Sequence, residues 1–135
     1  MKRNLPKKVI RIIKIQDWMS KPVITVEEND PVEKVIKLMD EHNIGSVPVV
    51  YNNKPVGIIT ERDIIRRVVS KGEDIKSIKV KKVMTKKPVT VEHDSSLLEV
   101  TRLMSKNNFR RLIVVNNDEL IGIVTAKDVI ELLSA

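Results

Sequence analysis

The sequence contains the same segment twice. Residues 10–67 align without a gap with residues 75–132, at a constant offset of 65 positions, and 20 of the 58 aligned pairs are identical. One copy of this length would bury too little of its surface to be stable alone, so we expect the two copies to pack on each other. A repeat of this kind predicts two copies of one structural unit, with any functional site present in two related places.

The composition favours an aliphatic core in an intracellular protein. Hydrophobic residues make up 41% of the chain, but aromatic residues only 2%. The chain has no cysteine, which excludes disulfides and thiolate sites and is typical of proteins from a reducing compartment. No run of 18 apolar residues occurs, and neither an apolar core nor a cleavage site follows Lys2 and Arg3. We therefore expect a cytoplasmic protein that does not use a membrane.

The net charge of +7 is concentrated in two segments. Residues 1–14 and residues 76–87 each hold six basic residues and no acidic one, so the remainder of the chain is acidic. These segments could attract polyphosphates, contact nucleic-acid backbones or form plain solvated surface. Nucleic-acid binding is the less favoured of these readings, because Trp18, Tyr51 and Phe109 are the only aromatic residues and are scattered.

The two copies predict the same order of elements, β-α-β-β-α. Each copy opens with a lead-in segment, residues 10–18 or 75–83, followed by short segments rich in β-branched residues. Residues 52–53 and 116–118 predict turns, because Asn and Asp tolerate positive φ. The fold class is therefore α/β (α+β). The predicted strands are residues 23–26, 47–50 and 56–59 in copy one and 88–91, 112–115 and 120–124 in copy two.

Local signals place the start of each helix. The first helix of copy one is expected to have Asp30 as its N-cap, and Asp94 or Ser95 is the expected cap in copy two. The second helices are expected to begin at Thr60 and Thr125. Thr60 is the expected N-cap in copy one, with Asp63 at the third helical position of a capping box.

One motif in each copy has the chemistry of a ligand site. Residues 57–63 read Gly-Ile-Ile-Thr-Glu-Arg-Asp, and residues 122–128 read Gly-Ile-Val-Thr-Ala-Lys-Asp. A threonine at a helix N-terminus suits a phosphate, and an aspartate three residues later can accept both hydroxyls of a ribose diol. The basic residue between them, Arg62 or Lys127, can neutralise phosphate charge. Alternatively, the threonine and the aspartate only close the helix start.

Together with Met-Ser-Lys-Pro-Val at residues 19–23 and Ser-Val-Pro-Val-Val at residues 46–50, this repeated motif resembles the CBS domain family, named after cystathionine β-synthase. The resemblance covers almost the whole chain and implies one CBS pair, in which two β-α-β-β-α motifs pack about a pseudo-twofold axis. It implies a basic segment at residues 1–9, a first motif at residues 10–71 and a second motif at residues 72–135.

The resemblance also implies two ligand clefts. In each cleft, the lead-in and the start of the middle strand of one copy would face the Thr-Asp motif of the other. The residues implied for cleft one are Ile10, Ile15, Ile44, Gly45, Ser46, Thr125, Lys127 and Asp128. The residues implied for cleft two are Val80, Arg110, Arg111, Thr60, Arg62 and Asp63.

The two clefts are expected to differ in their ligand preference. Gly45 and Ser46 are small and leave room for a base, whereas Arg110 and Arg111 stand at the matching positions and would crowd it. The two arginines either reach a phosphate or are solvated residues at a strand start. We expect cleft one to be the better nucleotide site.

The function implied by the resemblance is regulatory. A sensor protein of this kind would bind AMP, ADP, ATP or S-adenosylmethionine, form a homodimer and act on a regulated partner protein. We do not expect an enzyme, a catalytic cofactor or catalytic residues, because His42 and His93 lie outside the duplicated pattern. We expect no metal site, because no cluster of His, Asp and Glu has metal-ligand spacing. The alternative is a CBS-fold scaffold or a nucleic-acid-associated module that uses the basic lead-ins.

Overall fold

The computed structural model describes residues 13–19 and 23–134. The chain forms two compact units, and their composition does not follow the order of the sequence. The contiguous unit consists of Ile24–Pro88. The split unit consists of Met1–Val23 together with Val89–Ala135. Among the described residues, every helix is too short or too polar to cross a membrane.

The contiguous unit is a four-stranded sheet with helices. Its elements are β1 (Val26–Glu27), α1 (Val32–His42), β2 (Ser46–Tyr51), β3 (Lys54–Thr60), α2 (Glu61–Ile64), α3 (Val80–Val83) and β4 (Thr85–Lys86). The strand order is β1-β2-β3-β4, with β1 parallel to β2 and the other neighbours antiparallel. The second helix, α2, continues as one π-helical segment, Ile65–Val69.

The split unit repeats this plan with three strands. Its elements are a 3₁₀ turn (Ile15–Asp17), β5 (Thr90–Glu92), α4 (Leu97–Asn107), β6 (Arg111–Asn116), β7 (Glu119–Thr125) and α5 (Ala126–Leu133). The strand order is β5-β6-β7, with the first pair parallel and the second antiparallel, as in the contiguous unit. The pairing register shifts at equivalent positions, between Val49 and Val50 and between Val114 and Val115. The predicted α/β class and β-α-β-β-α order are confirmed.

The lead-in of each copy lies in the unit that holds the body of the other copy. Val80 and Val83, from the lead-in of copy two, are fully buried in the core of the contiguous unit. Ile15, from the lead-in of copy one, is fully buried in the core of the split unit beside Leu97 and Val124. Each core is therefore completed by a segment that the alignment assigns to the other copy.

The predicted caps of the first helices are wrong. The N-cap of α1 is Pro31, and Asp30 instead accepts a hydrogen bond from the Glu27 backbone at 2.9 Å and pairs with Lys34. The N-cap of α4 is Ser96, not Asp94 or Ser95, and its side chain accepts from the Glu99 backbone.

Partners distant in sequence explain why α1 needs no side-chain cap. The backbone N–H groups of Val32 and Glu33 donate to the carbonyls of Ile78 and Ile75, both at 3.0 Å. These lead-in carbonyls satisfy donors that a helix start otherwise leaves unpaired. The N–H of Leu97, which opens α4, donates in the same way to the Ile13 carbonyl at 2.9 Å.

The turn predicted at residues 52–53 is confirmed. The turn predicted at residues 116–118 is confirmed at 117 and 118, whereas Asn116 is the last residue of β6. Asn52 and Asn53 join β2 to β3, and Asn117 and Asp118 join β6 to β7, all four with positive φ. Positive φ at both central residues gives the backbone twist that tight hairpins favour.

Candidate ligand-binding site

The Thr-Asp motif forms the same structure in both units, at the point where the last long strand enters the second helix. The Thr60 N–H donates to Asp63 Oδ2 at 3.0 Å, and the Asp63 N–H donates to Thr60 Oγ1 at 3.2 Å. In the split unit the Thr125 N–H donates to Asp128 Oδ2 at 2.9 Å, and the Asp128 N–H donates to Thr125 Oγ1 at 3.1 Å. The capping box predicted at Thr60 and Asp63 is confirmed, and Thr125 and Asp128 form the same box.

Asp63 has further donors in the contiguous unit. Thr60 Oγ1 donates to its Oδ2 at 3.0 Å, and Thr85 Oγ1 donates to its Oδ1 at 3.1 Å. Arg67 Nη1 lies 4.0 Å from the same Oδ1. The carboxylate is buried and held from two sides, so its position relative to the helix start is fixed.

Arg67 was not predicted from the sequence. Its Nη1 donates to the carbonyls of Val83 at 2.9 Å and Met84 at 3.0 Å, where α3 ends. A guanidinium suits this role because its planar array of donors can serve several acceptors at once. Comparing the two copies does not point to this residue, because the aligned position in copy two is Leu132. Sequence reasoning also missed Thr85; its aligned residue, Ser20, lies outside the described residues.

The start of the middle strand adjoins the Thr-Asp motif within the same unit. Ser46 pairs with Thr60 across β2 and β3, and the Glu61 N–H donates to the Gly45 carbonyl at 3.0 Å. A Cβ at position 45 would lie 2.7 Å from Glu61 Oε1, so the carboxylate of Glu61 uses the space that the glycine leaves.

The hydroxyl of Ser46 is buried without a partner. The residue is 5% exposed, and no hydrogen-bond partner for its Oγ exists in the described part of the chain. A buried hydroxyl without a partner costs free energy and is uncommon in folded proteins. Ser46 is therefore a candidate contact for a bound molecule beside the Thr-Asp motif.

The split unit has basic side chains at the corresponding edge. Arg111 pairs with Thr125 across β6 and β7, and the Arg110 carbonyl accepts from the Ala126 N–H at 2.8 Å. Both arginine side chains are exposed, as is Lys127, whose Nζ lies 4.0 Å from Glu131. This edge presents positive charge to solvent near the helix start, an arrangement that suits an anion.

The predicted site residues divide between the units. Ile15 and Val80 fill the two cores with their side chains, and Ile10 lies outside the described residues. The combination of residues from both copies into clefts one and two stays a prediction. The contiguous unit holds Ile44, Gly45, Ser46, Thr60, Arg62, Asp63 and Val80, and the split unit holds Ile15, Arg110, Arg111, Thr125, Lys127 and Asp128.

Comparison with known proteins identifies the family. The family model described as CBS domain matches the chain twice, at residues 15–70 and 80–135. The chain therefore belongs to the CBS domain family and carries the domain as a tandem pair. Tandem CBS domains are in general regulatory modules that bind ligands.

Individual relatives differ in length and in their described roles. The uncharacterized protein MK0525 of Methanopyrus kandleri is 36% identical over 124 residues, which cover 90% of this chain and 63% of that protein. The inosine-5'-monophosphate dehydrogenase of Korarchaeum cryptofilum is 39% identical over 127 residues, 93% of this chain but 25% of that enzyme. The chain thus spans less than two thirds of the length of both these relatives.

A solved relative carries adenosine compounds. The CBS domain pair of protein MJ0100, in complex with 5'-methylthioadenosine and S-adenosyl-L-methionine, superimposes with a TM-score of 0.78 at 32% identity. The match covers 90% of this chain and 95% of that one. The fold seen here is therefore the fold of a CBS pair.

Proposed function

We propose that this protein is a sensor or regulatory protein that binds an adenosine-containing ligand. The candidate ligands are AMP, ADP, ATP and S-adenosylmethionine. The observation that carries the proposal is the duplicated Thr-Asp motif, which has the same hydrogen-bond geometry at Thr60 and Asp63 as at Thr125 and Asp128. The adenosine compounds bound by the MJ0100 pair support the same class of ligand.

The chemistry of the motif supports a ribose contact. A carboxylate offers about four lone-pair sites, and the capping box uses only one of the two oxygens of Asp128. A ribose diol brings two adjacent hydroxyl donors, and hydrogen bonds to a charged acceptor are the stronger kind. The exposed Arg62 and Lys127, each one residue before the aspartate, supply positive charge for a phosphate.

The proposed mechanism is a shift between conformations. A ligand that binds one conformation of the chain better than another raises the population of that conformation. A partner protein then responds to the changed population. In this role the bound molecule is a signal and is not converted.

A thermal-shift panel with AMP, ADP, ATP and S-adenosylmethionine tests the proposal. A ligand at about 100 times its dissociation constant adds about 2.7 kcal/mol to the free energy of unfolding, enough to move the midpoint visibly. We expect one of the four to raise the midpoint at moderate salt. No shift with any of them would reject the adenosine assignment.

Substitutions separate ligand binding from helix capping. Asp128→Asn and Asp63→Asn remove the charge that a ribose would meet, and we expect each to weaken binding measured by calorimetry. Ser96→Ala is the matched control, because it removes the cap of α4 away from the motif and should leave binding unchanged. Wild-type affinity in the double aspartate variant would leave capping as the only role of the motif.

One observation favours a second candidate function. Lys79, Lys81 and Lys82 are all exposed around α3, and clustered lysines can neutralise nucleic-acid phosphates. Salt-sensitive binding of a short RNA that is lost in the triple Lys→Gln variant, but kept in the double aspartate variant, would favour a nucleic-acid-associated module.

We also propose that the protein forms a homodimer. Ile65, Val69 and Ile130 are large apolar side chains that are 60%, 66% and 61% exposed. Large apolar side chains exposed on a helix, such as Ile65 and Val69 in the contiguous unit and Ile130 in the split unit, are typical of interaction surfaces.

A further inference from the structure

A pocket lies where the two parallel strands of the contiguous unit end. The carboxyl ends of β1 and β2 lie at the same edge of the sheet, because these strands run in the same direction. The pocket at this edge has a volume of about 260 Å³, and residues that end or follow the two strands line it together with Lys81 of α3. Open sheets commonly bind small molecules outside the carboxyl ends of their parallel strands. We call it the strand-end pocket.

The strand-end pocket is separate from the Thr-Asp motif. Ser46, at the start of β2, pairs with Thr60, whereas Tyr51, at the end of β2, pairs with Lys54. At a rise of about 3.3 Å per residue, the two ends of β2 lie roughly 16 Å apart. A small molecule in the strand-end pocket therefore lies out of reach of the capping box.

Opposite charges line the pocket without pairing. Glu27 and Glu28 bring two carboxylates at the end of β1, and Lys81 brings an ammonium group. Within the described ranges, neither glutamate forms an ion pair with Lys81. Three ionised side chains around one pocket therefore remain available to a bound molecule.

Neighbouring charged groups do not replace these missing pairs. Asp30 already accepts hydrogen bonds from the Glu27 backbone at 2.9 Å and from Lys34 at 3.2 Å. Lys54 and Lys82 are close to the pocket in register or in sequence, but neither lines it. The lining therefore carries two negative charges and one positive charge.

The split unit shows how the same two positions look when their side chains bond to each other. Glu28 and Lys81 align with His93 and Gln16. The backbone is bonded alike in both units, since the Lys81 N–H donates to the Glu28 carbonyl at 2.9 Å and the Gln16 N–H donates to the His93 carbonyl at 3.2 Å. In the split unit the side chains also bond, with His93 Nδ1 2.9 Å from Gln16 Oε1. On an equivalent backbone, the contiguous unit instead has two opposite charges that do not meet.

The rest of the lining suits a small zwitterion. The amides of Asn29 and Asn52 can donate and accept hydrogen bonds. Tyr51 is 64% exposed, so its ring can cover a bound ammonium group, and the buried Val50 adds an apolar wall. A molecule with both an ammonium group and a carboxylate can meet the glutamates and Lys81 at once, through charge-assisted hydrogen bonds, which are the stronger kind.

We propose that the strand-end pocket binds a free amino acid. The ammonium group of the ligand lies against Glu27 and Glu28, and its carboxylate lies against Lys81. A free amino acid fits because one carbon atom joins its two charged groups, so both can reach the opposite charges of a small pocket. This site goes beyond the proposed adenosine site and gives the chain a second small-molecule ligand.

Thermal unfolding with each standard amino acid at millimolar concentration is the first test. We expect at least one of them to raise the unfolding midpoint. Calorimetry then compares that amino acid with its N-acetyl derivative, which lacks the ammonium group, and its carboxamide, which lacks the carboxylate. We expect both derivatives to bind at least about tenfold more weakly, because a lost hydrogen bond between charged groups costs more than a factor of ten in affinity.

Copying the side-chain pair of the split unit is the second test. The double variant Glu28→His and Lys81→Gln keeps the backbone bond and places a His–Gln pair across the pocket. We expect it to unfold like the wild type and to lose amino-acid binding, while its affinity for an adenosine ligand is unchanged. The matched control, Glu41→His with Lys71→Gln, makes the same changes at exposed positions outside the pocket and should bind the amino acid like the wild type.

Three outcomes would overturn the proposal. A panel in which no amino acid shifts the midpoint would exclude this class of ligand. A carboxamide or N-acetyl derivative that binds as tightly as the amino acid would show that the pocket does not recognise a zwitterion, and this measurement uses the wild-type chain. Amino-acid binding that survives in the double variant would place the ligand outside the strand-end pocket. None of these results bears on the adenosine proposal, which the nucleotide panel tests separately.

Discussion

Two glycines show how a single residue leaves space for the segment that directly follows the lead-in of the other copy. A Cβ at position 57 would lie 2.6 Å from Met84 Sδ and 3.0 Å from the backbone oxygen of Thr85. At position 122 the three nearest atoms all belong to the side chain of Met19. A side chain can move away more easily than backbone. The same motif position is therefore expected to tolerate a methyl group differently in the two units.

We predict that Gly57→Ala lowers the free energy of unfolding by about 1–3 kcal/mol, the usual cost of overpacking, and that Gly122→Ala costs less. Urea denaturation of both variants measures the difference. Shortening Met19 to Ala should relieve the Gly122→Ala loss, so that the double variant loses less than the sum of the two single losses. Equal losses at both glycines would contradict the role assigned to the Thr85 backbone.

The buried hydroxyl of Ser46 is expected to affect ligand binding without contributing to the stability of the free protein. Removing a buried hydroxyl that has no partner is expected to be neutral or slightly stabilising. We predict that Ser46→Ala unfolds at the same temperature as the wild type or higher without ligand, yet binds the adenosine ligand more weakly in calorimetry. A clear loss of stability in the free protein would show that the hydroxyl has a partner within the fold.

At the scale of an element, the start of α1 shows that sequence rules for helix caps miss partners distant in the chain. Asp30 has the residue type and position of an N-cap, and cap rules consider only neighbours along the chain. The lead-in carbonyls of Ile75 and Ile78 instead satisfy the first donors of the helix, more than 40 positions away in sequence. No local pattern contains that information.

Hydrogen exchange can verify this difference. The first amides of a helix usually exchange fast, because they lack partners within the helix. We predict that the amides of Val32 and Glu33 are protected to the level of the sheet core, since they donate to lead-in carbonyls. Exchange of these amides at the rate of exposed backbone, measured by NMR, would show that the lead-in does not stay bound to α1.

Other elements were predictable because their signals are local. Asn52 and Asn117 mark hairpin turns by their tolerance of positive φ, and Thr60 and Thr125 mark helix starts by reciprocal capping within four residues. Arg67 was not predictable, because its acceptors at Val83 and Met84 lie 16 and 17 positions away and the repeat offers only Leu132 for comparison. The repeat therefore predicts features that both copies have, but not a residue such as Arg67 that only one copy has.

At the scale of the whole molecule, the boundaries of the compact units differ from the boundaries of the two sequence copies. The alignment suggests that each copy is a natural fragment, yet the core of the contiguous unit needs Val80, Val83 and Met84 from the second copy. A fragment that ends before these residues lacks part of its own core. It also lacks the carbonyls that complete α1.

Two fragments of equal length test whether the compact unit or the sequence copy is the part that can fold alone. Residues 24–88 contain the whole contiguous unit, whereas residues 10–74 contain copy one with its own lead-in and end before Ile75. We predict that fragment 24–88 unfolds in a cooperative urea transition with dispersed amide resonances, although its small size makes it less stable than the full chain. Fragment 10–74 should be largely unfolded, because it lacks the buried Val80, Val83 and Met84, and truncating a buried methionine alone costs about 2–5 kcal/mol.

The reverse result would have a specific meaning. If fragment 10–74 folded cooperatively and fragment 24–88 did not, the lead-in of copy one would be able to replace the lead-in of copy two. Ile13, Ile15 and Met19 align with Ile78, Val80 and Met84, so such a replacement is chemically reasonable. Adding residues 75–88 as a separate peptide to fragment 10–74 distinguishes the cases. If the peptide restores cooperative unfolding, the exchange of lead-ins between copies is a requirement of this sequence.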